Sequence, residues 1–285
     1  MARLLITKDM KEIKFSLSMS VYKNDNPTFF KLAVESATIK QTLRPSELIL
    51  VVDGPVPVSI DSVISELQKE LPMPLKCVRF KENQGHAGAR QAGLEHATNN
   101  IVAIMDSDDI ALPDRFEKQL QFLDGNPDID IVGGQIAEFI DNEDNIVGER
   151  IVPLEDTEIK EYLKARCPMN LVTIMARKDA IQRVGGYMDW YCEEDYYLWI
   201  RMALAGCKFA NLPDTLVNVR VGKEMYSRRG GWKYFKSEAK LQGYMLTHKV
   251  ISFPRYVYNV SIRFVVQALL PNKIRGWVFR TFARK

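Results

Sequence analysis

Two hydrophobic rhythms alternate along the first half of this 285-residue chain. Residues 15–21 read as a strand and 28–42 as a helix. Leu48-Ile49-Leu50-Val51-Val52 is an unbroken apolar run ending in Asp53-Gly54-Pro55, a turn signal. Such a run suits a parallel strand buried on both faces. Residues 60–71 have helical spacing, 75–80 read as a third strand and 87–97 as a helix. Ile101-Val102-Ala103-Ile104-Met105 is another buried strand. Pro113 suits the first turn of the next helix, which Asn126-Pro127 ends. The alternation predicts an α/β fold with a doubly wound, mostly parallel sheet. Ligands bind such sheets outside the carboxyl ends of the strands. Asp53 and Asp106 each follow a buried strand, so both are expected on that rim.

From about residue 129 the pattern changes. Longer strands are expected at 129–140 and 145–152 around a turn at 141–144. Helices follow at 158–165, at 178–184 before Gly185-Gly186, and at 194–205 before Gly206. Strands are expected at 171–176 and 216–221. The tail from Trp232 reads as helical, interrupted by Pro254 and Pro271. This divides the chain into an α/β domain, 1–225, and a helical C-terminal extension, 226–285.

Composition narrows the class. Hydrophobic residues make up 46% and charged residues 26%, as in ordinary soluble domains. The four cysteines (Cys77, Cys167, Cys192, Cys207) form no CxxC pair, and the three histidines have no metal-ligand spacing. The cysteine pattern fits a reducing cytosol. The first apolar run is too short for a signal peptide, and no apolar stretch reaches the roughly 18 residues of a membrane span. The expected location is therefore cytoplasmic.

The net charge of +3 conceals an asymmetry. No Asp or Glu follows Glu238, whereas residues 239–285 carry nine Lys or Arg. The other 30 basic and 36 acidic residues leave the first 238 positions at −6. A basic segment on an acidic body points to an anionic partner surface. Aromatic and aliphatic residues interleave with the cations of 250–285, as in helices that lie in a membrane interface at the inner face of the plasma membrane. Equally, these helices suit packing on the α/β domain with their basic face in water. No nucleic-acid-binding motif is present.

The densest chemistry is Asp106-Ser107-Asp108-Asp109, three carboxylates within four residues. Clustered like charges are costly unless a cation or strong donors offset them. Mg²⁺ and Mn²⁺ take carboxylate and phosphate oxygens together. An Asp-rich turn, with Asp109 or Asp114 capping the next helix, is the competing explanation. Position alone does not decide between them.

Four segments taken in order closely resemble family-2 glycosyltransferases: the strand ending at Tyr22; Glu47-Leu48-Ile49-Leu50-Val51-Val52-Asp53; Asn83-Gln84-Gly85-His86-Ala87-Gly88-Ala89-Arg90; and Ile104-Met105-Asp106-Ser107-Asp108-Asp109. Gly185-Gly186-Tyr187 followed by Glu193-Glu194-Asp195-Tyr196-Tyr197-Leu198-Trp199 resembles that family's acidic motif ahead of a Leu-Trp helix. The resemblance spans about residues 14–221. It implies a GT-A fold, a nucleotide-diphosphate sugar donor (a UDP-sugar) and transfer with inversion. By the same resemblance, Asp195 is the catalytic base, with Glu193 and Glu194 as adjacent competitors. Asp53 contacts the nucleotide base; its structural alternative is to start the Gly54-Pro55 turn. Tyr22, Asn83, Gly85, Arg90, Asp106, Ser107 and Glu194 line the nucleotide-sugar site. Asp106 and Asp108 bind a divalent cation, Mn²⁺ or Mg²⁺.

The chain also departs from the family pattern. Ser20 stands where a proline often follows the first strand, and Asp53-Gly54-Pro55 lacks a frequent second Asp. Gly222 replaces a His that completes the metal site in many members, which turns attention to Arg228 and Arg229 for the diphosphate. A QxxRW sequence is absent, which argues for addition of single sugars rather than processive synthesis. The implied acceptor is a glycan or lipid-linked glycan in surface polysaccharide assembly. Trp190 and Tyr191 are candidates to stack on it, while Leu198 and Trp199 read as core. A sugar-phosphate nucleotidyltransferase would need a Gly-rich loop where Ser20-Val21-Tyr22-Lys23-Asn24 stands. A non-catalytic nucleotide-sugar or glycan-binding protein on the same fold is the alternative function.

Overall fold

The apolar run of 48–52 folds as β2 (Glu47–Val52), with every residue buried. Its alternate side chains feed two cores. Leu48, Leu50 and Val52 meet Phe30 and Phe116 on one face of the sheet, while Ile49 meets Leu94 and Trp199 on the other. The structure is a computed structural model and describes residues 13–222 and 230–270. β1 (Ser16–Val21), β2, β3 (Leu75–Arg79) and β4 (Ile101–Met105) lie in the order β3-β2-β1-β4, all parallel. They alternate with α1 (Pro27–Ser36), α2 (Val58–Glu70) and α3 (Gly85–His96), as the sequence rhythm predicts.

Local chemistry sets the boundaries. Asn26 caps α1 by accepting from the backbone N–H of Thr28 and Phe29, and Pro27 occupies the first turn. The helix stops at Ser36 rather than continuing to 42. There Thr38 Oγ1 donates to the Val34 carbonyl and Gln41 Nε2 to that of Ser36, so side chains replace the helical ladder.

Beyond β4 the sheet becomes mixed. β5 (Ile110–Ala111), β6 (Ile131–Phe139), β7 (Ile146–Arg150), β8 (Met175–Arg177) and β9 (Phe209–Arg220) extend it in the order β4-β8-β6-β9-β5, with β7 beside β6. β8 is antiparallel to β4 and β6, and β9 is parallel to β6. The remaining helices are α4 (Arg115–Gly125), α5 (Asp156–Leu163), α6 (Lys178–Arg183), α7 (Glu194–Leu204), α8 (Trp232–Thr247) and α9 (Phe253–Arg263).

Three expectations change here, and one element is added. Residues 171–176 are not one strand: Leu171–Thr173 is a 3₁₀ turn ahead of β8. Thr173 Oγ1 donates to the Asn170 carbonyl and accepts from Gly134 N–H, diverting the backbone from the ladder. The final strand starts at Phe209, not 216, because register shifts opposite Gly133–Ile136 absorb Pro213 and Asp214. α4 starts at Arg115, two residues past Pro113, and the Asp114 side chain makes no cap hydrogen bond. The two-residue β5 was not foreseen; it pins the end of the Asp106–Asp109 loop to β9 through Ile110–Asn218 and Ala111–Val217 pairing.

The C-terminal segment contributes to the core: Leu241, Met245 and Ile251 are buried with Trp199 and Tyr196. Among the described residues, no helix is long and apolar enough to cross a membrane.

Candidate functional site

Parallel strands β1, β2 and β4 end on one rim, and the acidic residues that follow them meet there. Asp53 leaves β2 with its N–H donating to the Val21 carbonyl. Its carboxylate accepts from Gln84 N–H (2.6 Å), Gly85 N–H (3.0 Å) and Asn83 Nδ2 (2.8 Å). Asp53 therefore organises the loop entering α3 as well as starting a turn. Gly54 makes that approach possible: it has φ of +88°, and a Cβ there would lie 2.8 Å from Asn83 N. Gly85 has φ of +78° and faces open space. Gly88 differs, since a Cβ there would press on Gln84.

The loop after β4 carries the like charges. Ser107 Oγ donates to Asp25 Oδ2 (2.8 Å), which also accepts from Tyr22 N–H. Asp25 was not singled out in the sequence, where Asn24-Asp25-Asn26-Pro27 reads as an ordinary turn. Burial, and then the neighbouring Asp106, hold its pKa above the usual value. Asp108 keeps a solvent-exposed edge, yet protein crowding and then Asp106 and Asp25 push it up to about 6. Asp109 is buried and does not cap α4; its Oδ1 accepts from Arg220 N–H (2.8 Å). Burial first, then Asp108 and Asp106, raise its pKa well above normal.

Two further cations escaped sequence reading. Arg115 is fully buried beneath this loop, donating to the Ile104 carbonyl and Gln119 Oε1. Burial lowers its pKa to about 9, against the attraction of Asp109 and Asp106. Arg220 donates to the carbonyls of Asp108 and Asp141 and lies over the rings of Phe29 and Phe139. One stands at a helix start and the other at a strand end, where a lone Arg reads as solvated.

Arg90 joins the two halves of the site. From α3 its guanidinium donates to Glu194 Oε1 at the start of α7 and to Asp106 Oδ1 (3.4 Å) after β4. Burial would lower its pKa, but Asp106 and Glu194 more than reverse that, so it stays a cation. The three acids of the Glu193-Glu194-Asp195 run have different partners. Glu193 accepts from Tyr234 OH of α8 (2.8 Å), Glu194 from Arg90, and Asp195 from its neighbour Tyr196 N–H (2.7 Å) and from Cys167 Sγ (3.8 Å). Asp195 has no ion-pair partner among the described residues. Burial and then the Glu194 charge raise its pKa, with Arg90 opposing.

Upstream, Gly185 and Gly186 take φ of +89° and +70°, and Arg201 donates to the carbonyls of Val184 and Gly186. That clamp presents the loop ahead of α7. Leu198 and Trp199 are core, as expected. Trp190 packs on Tyr197 and Tyr244, and its Nε1 donates to the Ser237 carbonyl, whereas Tyr191 is exposed. Arg228 and Arg229 lie outside the described residues, and Gly222 has open space around it.

Among the described residues, no three His, Cys, Asp or Glu side chains converge at metal-ligand spacing. Asp106 and Asp108 nevertheless suit a hard divalent cation that draws its other oxygens from a bound diphosphate. Among the described residues, protein groups alone do not form a cage.

Comparison with known proteins addresses the family and the fold. The profile described as "Glycosyl transferase family 2" covers residues 21–188. An uncharacterized glycosyltransferase of Haemophilus influenzae is 40% identical over 273 residues, spanning 96% of this chain and 100% of the relative. The UDP-Gal:alpha-D-GlcNAc-diphosphoundecaprenol beta-1,3-galactosyltransferase of Escherichia coli is 35% identical over 272 residues, 95% of this chain and 97% of that one. S. aureus TarS 1–349 in complex with UDP-GlcNAc superposes with a TM-score of 0.65 at 15% identity, over 95% of this chain and 76% of that chain. The mannosyltransferase PcManGT from Pyrobaculum calidifontis, in complex with GDP-Man and Mn2+, gives 0.57 at 15% identity, over 93% and 73%. Those two likenesses concern the fold, which is GT-A. With the family profile over most of its first 188 residues and near full-length relatives, this chain is a glycosyltransferase that belongs to glycosyl transferase family 2.

Proposed function

We propose that the protein transfers one sugar from a UDP-sugar to a lipid-linked glycan, with inversion at the anomeric carbon and with a divalent cation, Mn²⁺ or Mg²⁺. The observation that carries this reading is the Arg90 bridge, which draws the Asp106–Asp109 loop and the start of α7 together. A carboxylate has about four acceptor positions, and Asp53 uses three on the loop entering α3. The fourth suits the N3–H of uracil. Tyr22, Asn83, Gly85 and Ser107 line the same rim.

Glu193 and Glu194 are each held by a strong donor, which leaves Asp195 as the base. It takes the proton of the acceptor hydroxyl as that oxygen bonds to the sugar's anomeric carbon, while the bond from that carbon to the diphosphate breaks on the opposite face. Asp106 and Asp108 would hold the cation, which offsets the charge gathering on the departing diphosphate. Arg90 remains charged throughout and keeps Glu194 and Asp106 from repelling each other.

The related E. coli enzyme is named for a diphosphoundecaprenol-linked substrate. A polyprenyl acceptor of that kind brings this protein to the cytoplasmic face of the membrane, in surface polysaccharide assembly.

The test is nucleotide release from a panel of nucleotide sugars, with Mn²⁺ and a lipid-diphosphate-linked sugar as acceptor. UDP release that stops on adding EDTA is expected. Binding of a donor without turnover on any acceptor would favour a non-catalytic binding protein, and failure to bind any donor would exclude both readings.

A further inference from the structure

α9 and the π-helical turn that continues it, Phe264–Leu269, are built inside out. The side turned to the protein is polar. Asn259 Nδ2 donates to Gln242 Oε1 and to the Lys164 carbonyl, both at 2.8 Å. Arg263 pairs with Glu238 and donates to the Ala165 carbonyl (2.7 Å). Gln267 Nε2 donates to Glu238 Oε2 (2.8 Å). The side turned away is apolar: Phe253 is 65% exposed, Tyr258 60% and Leu269 59%, with Val257, Ile262 and Val265 exposed beside them. Water gives no reason to choose this orientation. Reversing it would bury six large side chains, each of which would gain by leaving water.

The exposed face runs on into α8. The rings of Trp232, Phe235 and Phe264 cluster, with centroids 5.3–6.3 Å apart, and Trp232 is itself exposed. Cations frame the patch. Lys236 lies over the Trp232 ring, and Arg255 projects from the first turn of α9. No acidic residue follows Glu238 anywhere in the sequence. A contiguous apolar face of this size on a soluble chain marks an interaction site. Exposed aromatics beside a basic frame match one kind of surface, the interface of an anionic bilayer.

We propose that α9, the turn after it and the Trp232 end of α8 form the surface by which this protein docks on anionic phospholipid. The helices lie in the interface plane rather than across the membrane. The site sits behind the same elements: Tyr234 OH of α8 donates to Glu193, Ser237 Oγ to the Tyr191 carbonyl, and Trp190 Nε1 to the Ser237 carbonyl. Docking thus fixes the acceptor side of the cleft relative to the lipid surface. This deepens the lipid-linked acceptor reading and rests on it for its purpose, but vesicle binding is measured apart from turnover.

The experiment is flotation of the full chain with phosphatidylglycerol-containing vesicles and with phosphatidylcholine vesicles, at about 0.15 M salt. Wild type is expected to float with the anionic vesicles only. Val257→Glu combined with Ile262→Glu, both at exposed positions, is expected to lower co-flotation about tenfold while UDP release on a short-chain, detergent-soluble acceptor is retained. Lys236→Glu combined with Arg255→Glu is expected to lower it too and supplies the reading if the first variant does not fold. Wild type that remains at the bottom with anionic vesicles, or variants that float as wild type does, would overturn the proposal. So would a wild-type dimer in solution that Val257→Glu with Ile262→Glu dissociates, because the face would then join two copies of the chain. Flotation without UDP release on any acceptor would instead fault the transfer reading and leave the docking surface standing.

Discussion

At the residue scale, one charged side chain determines how the site holds together. Arg90 is the common partner of Glu194 and Asp106, and both it and Glu194 are largely shielded from water. Removing one partner of a buried ion pair costs about 3–5 kcal/mol. Asp106 retains solvent contact, so Arg90→Met is expected at the low end, about 3 kcal/mol, in chemical denaturation. Unchanged stability would show that the bridge carries no weight. Asp195 contributes to the pH dependence, alongside Asp25, Asp108 and Asp109, whose pKa values are also raised. Burial and then Glu194 raise its pKa, so its ionised form costs stability: its contribution is most favourable in acid and is lost as pH rises through the folded pKa. A base must be ionised to act, so activity runs the other way and rises through that same pKa. Glu194→Gln keeps an acceptor for Arg90 but removes the like charge. The acid limb of its kcat/KM profile is therefore expected to move to lower pH. A limb that stays in place would remove Asp195, or its coupling to Glu194, from the account.

At the scale of elements, the rim depends on close backbone approach where β2 ends. Gly54→Ala would force a Cβ to 2.8 Å from Asn83 N at φ of +88°. The expected cost is about 1–3 kcal/mol, with weaker binding of UDP because the Asp53 loop is displaced. Equal UDP affinity by calorimetry would separate that loop from the nucleotide. The same region shows what was legible in the sequence. β2 and β4 announce themselves as unbroken apolar runs, and Asp53 and Asp106 follow directly. β5 did not, because two residues carry no period, yet it sets the position of the acidic loop against β9. Asp25, Arg115 and Arg220 were also silent. Each is an ordinary polar residue in its own segment, and only the tertiary fold brings it to the site. The early half of β9 was hidden by Pro213 and Asp214, which a bulge in the pairing with β6 accommodates.

At the scale of the molecule, two sheet faces and the C-terminal helices form one connected body around the site. Leu241 and Met245 of α8 share a core with Trp199 of α7, so the basic segment is joined to the helix that carries Asp195. Charge is divided along the sequence: carboxylates gather at the strand ends, whereas residues 239–285 carry nine cations and no acid. The proposed transfer uses the site spanned by Arg90, with Asp195 as base. The most direct measurement is to compare wild type and Asp195→Asn for UDP-sugar binding and for turnover with Mn²⁺ and a lipid-linked acceptor. The expected result is donor affinity close to wild type with turnover lowered by about 10²–10⁴-fold. Turnover by Asp195→Asn at the wild-type rate would contradict it.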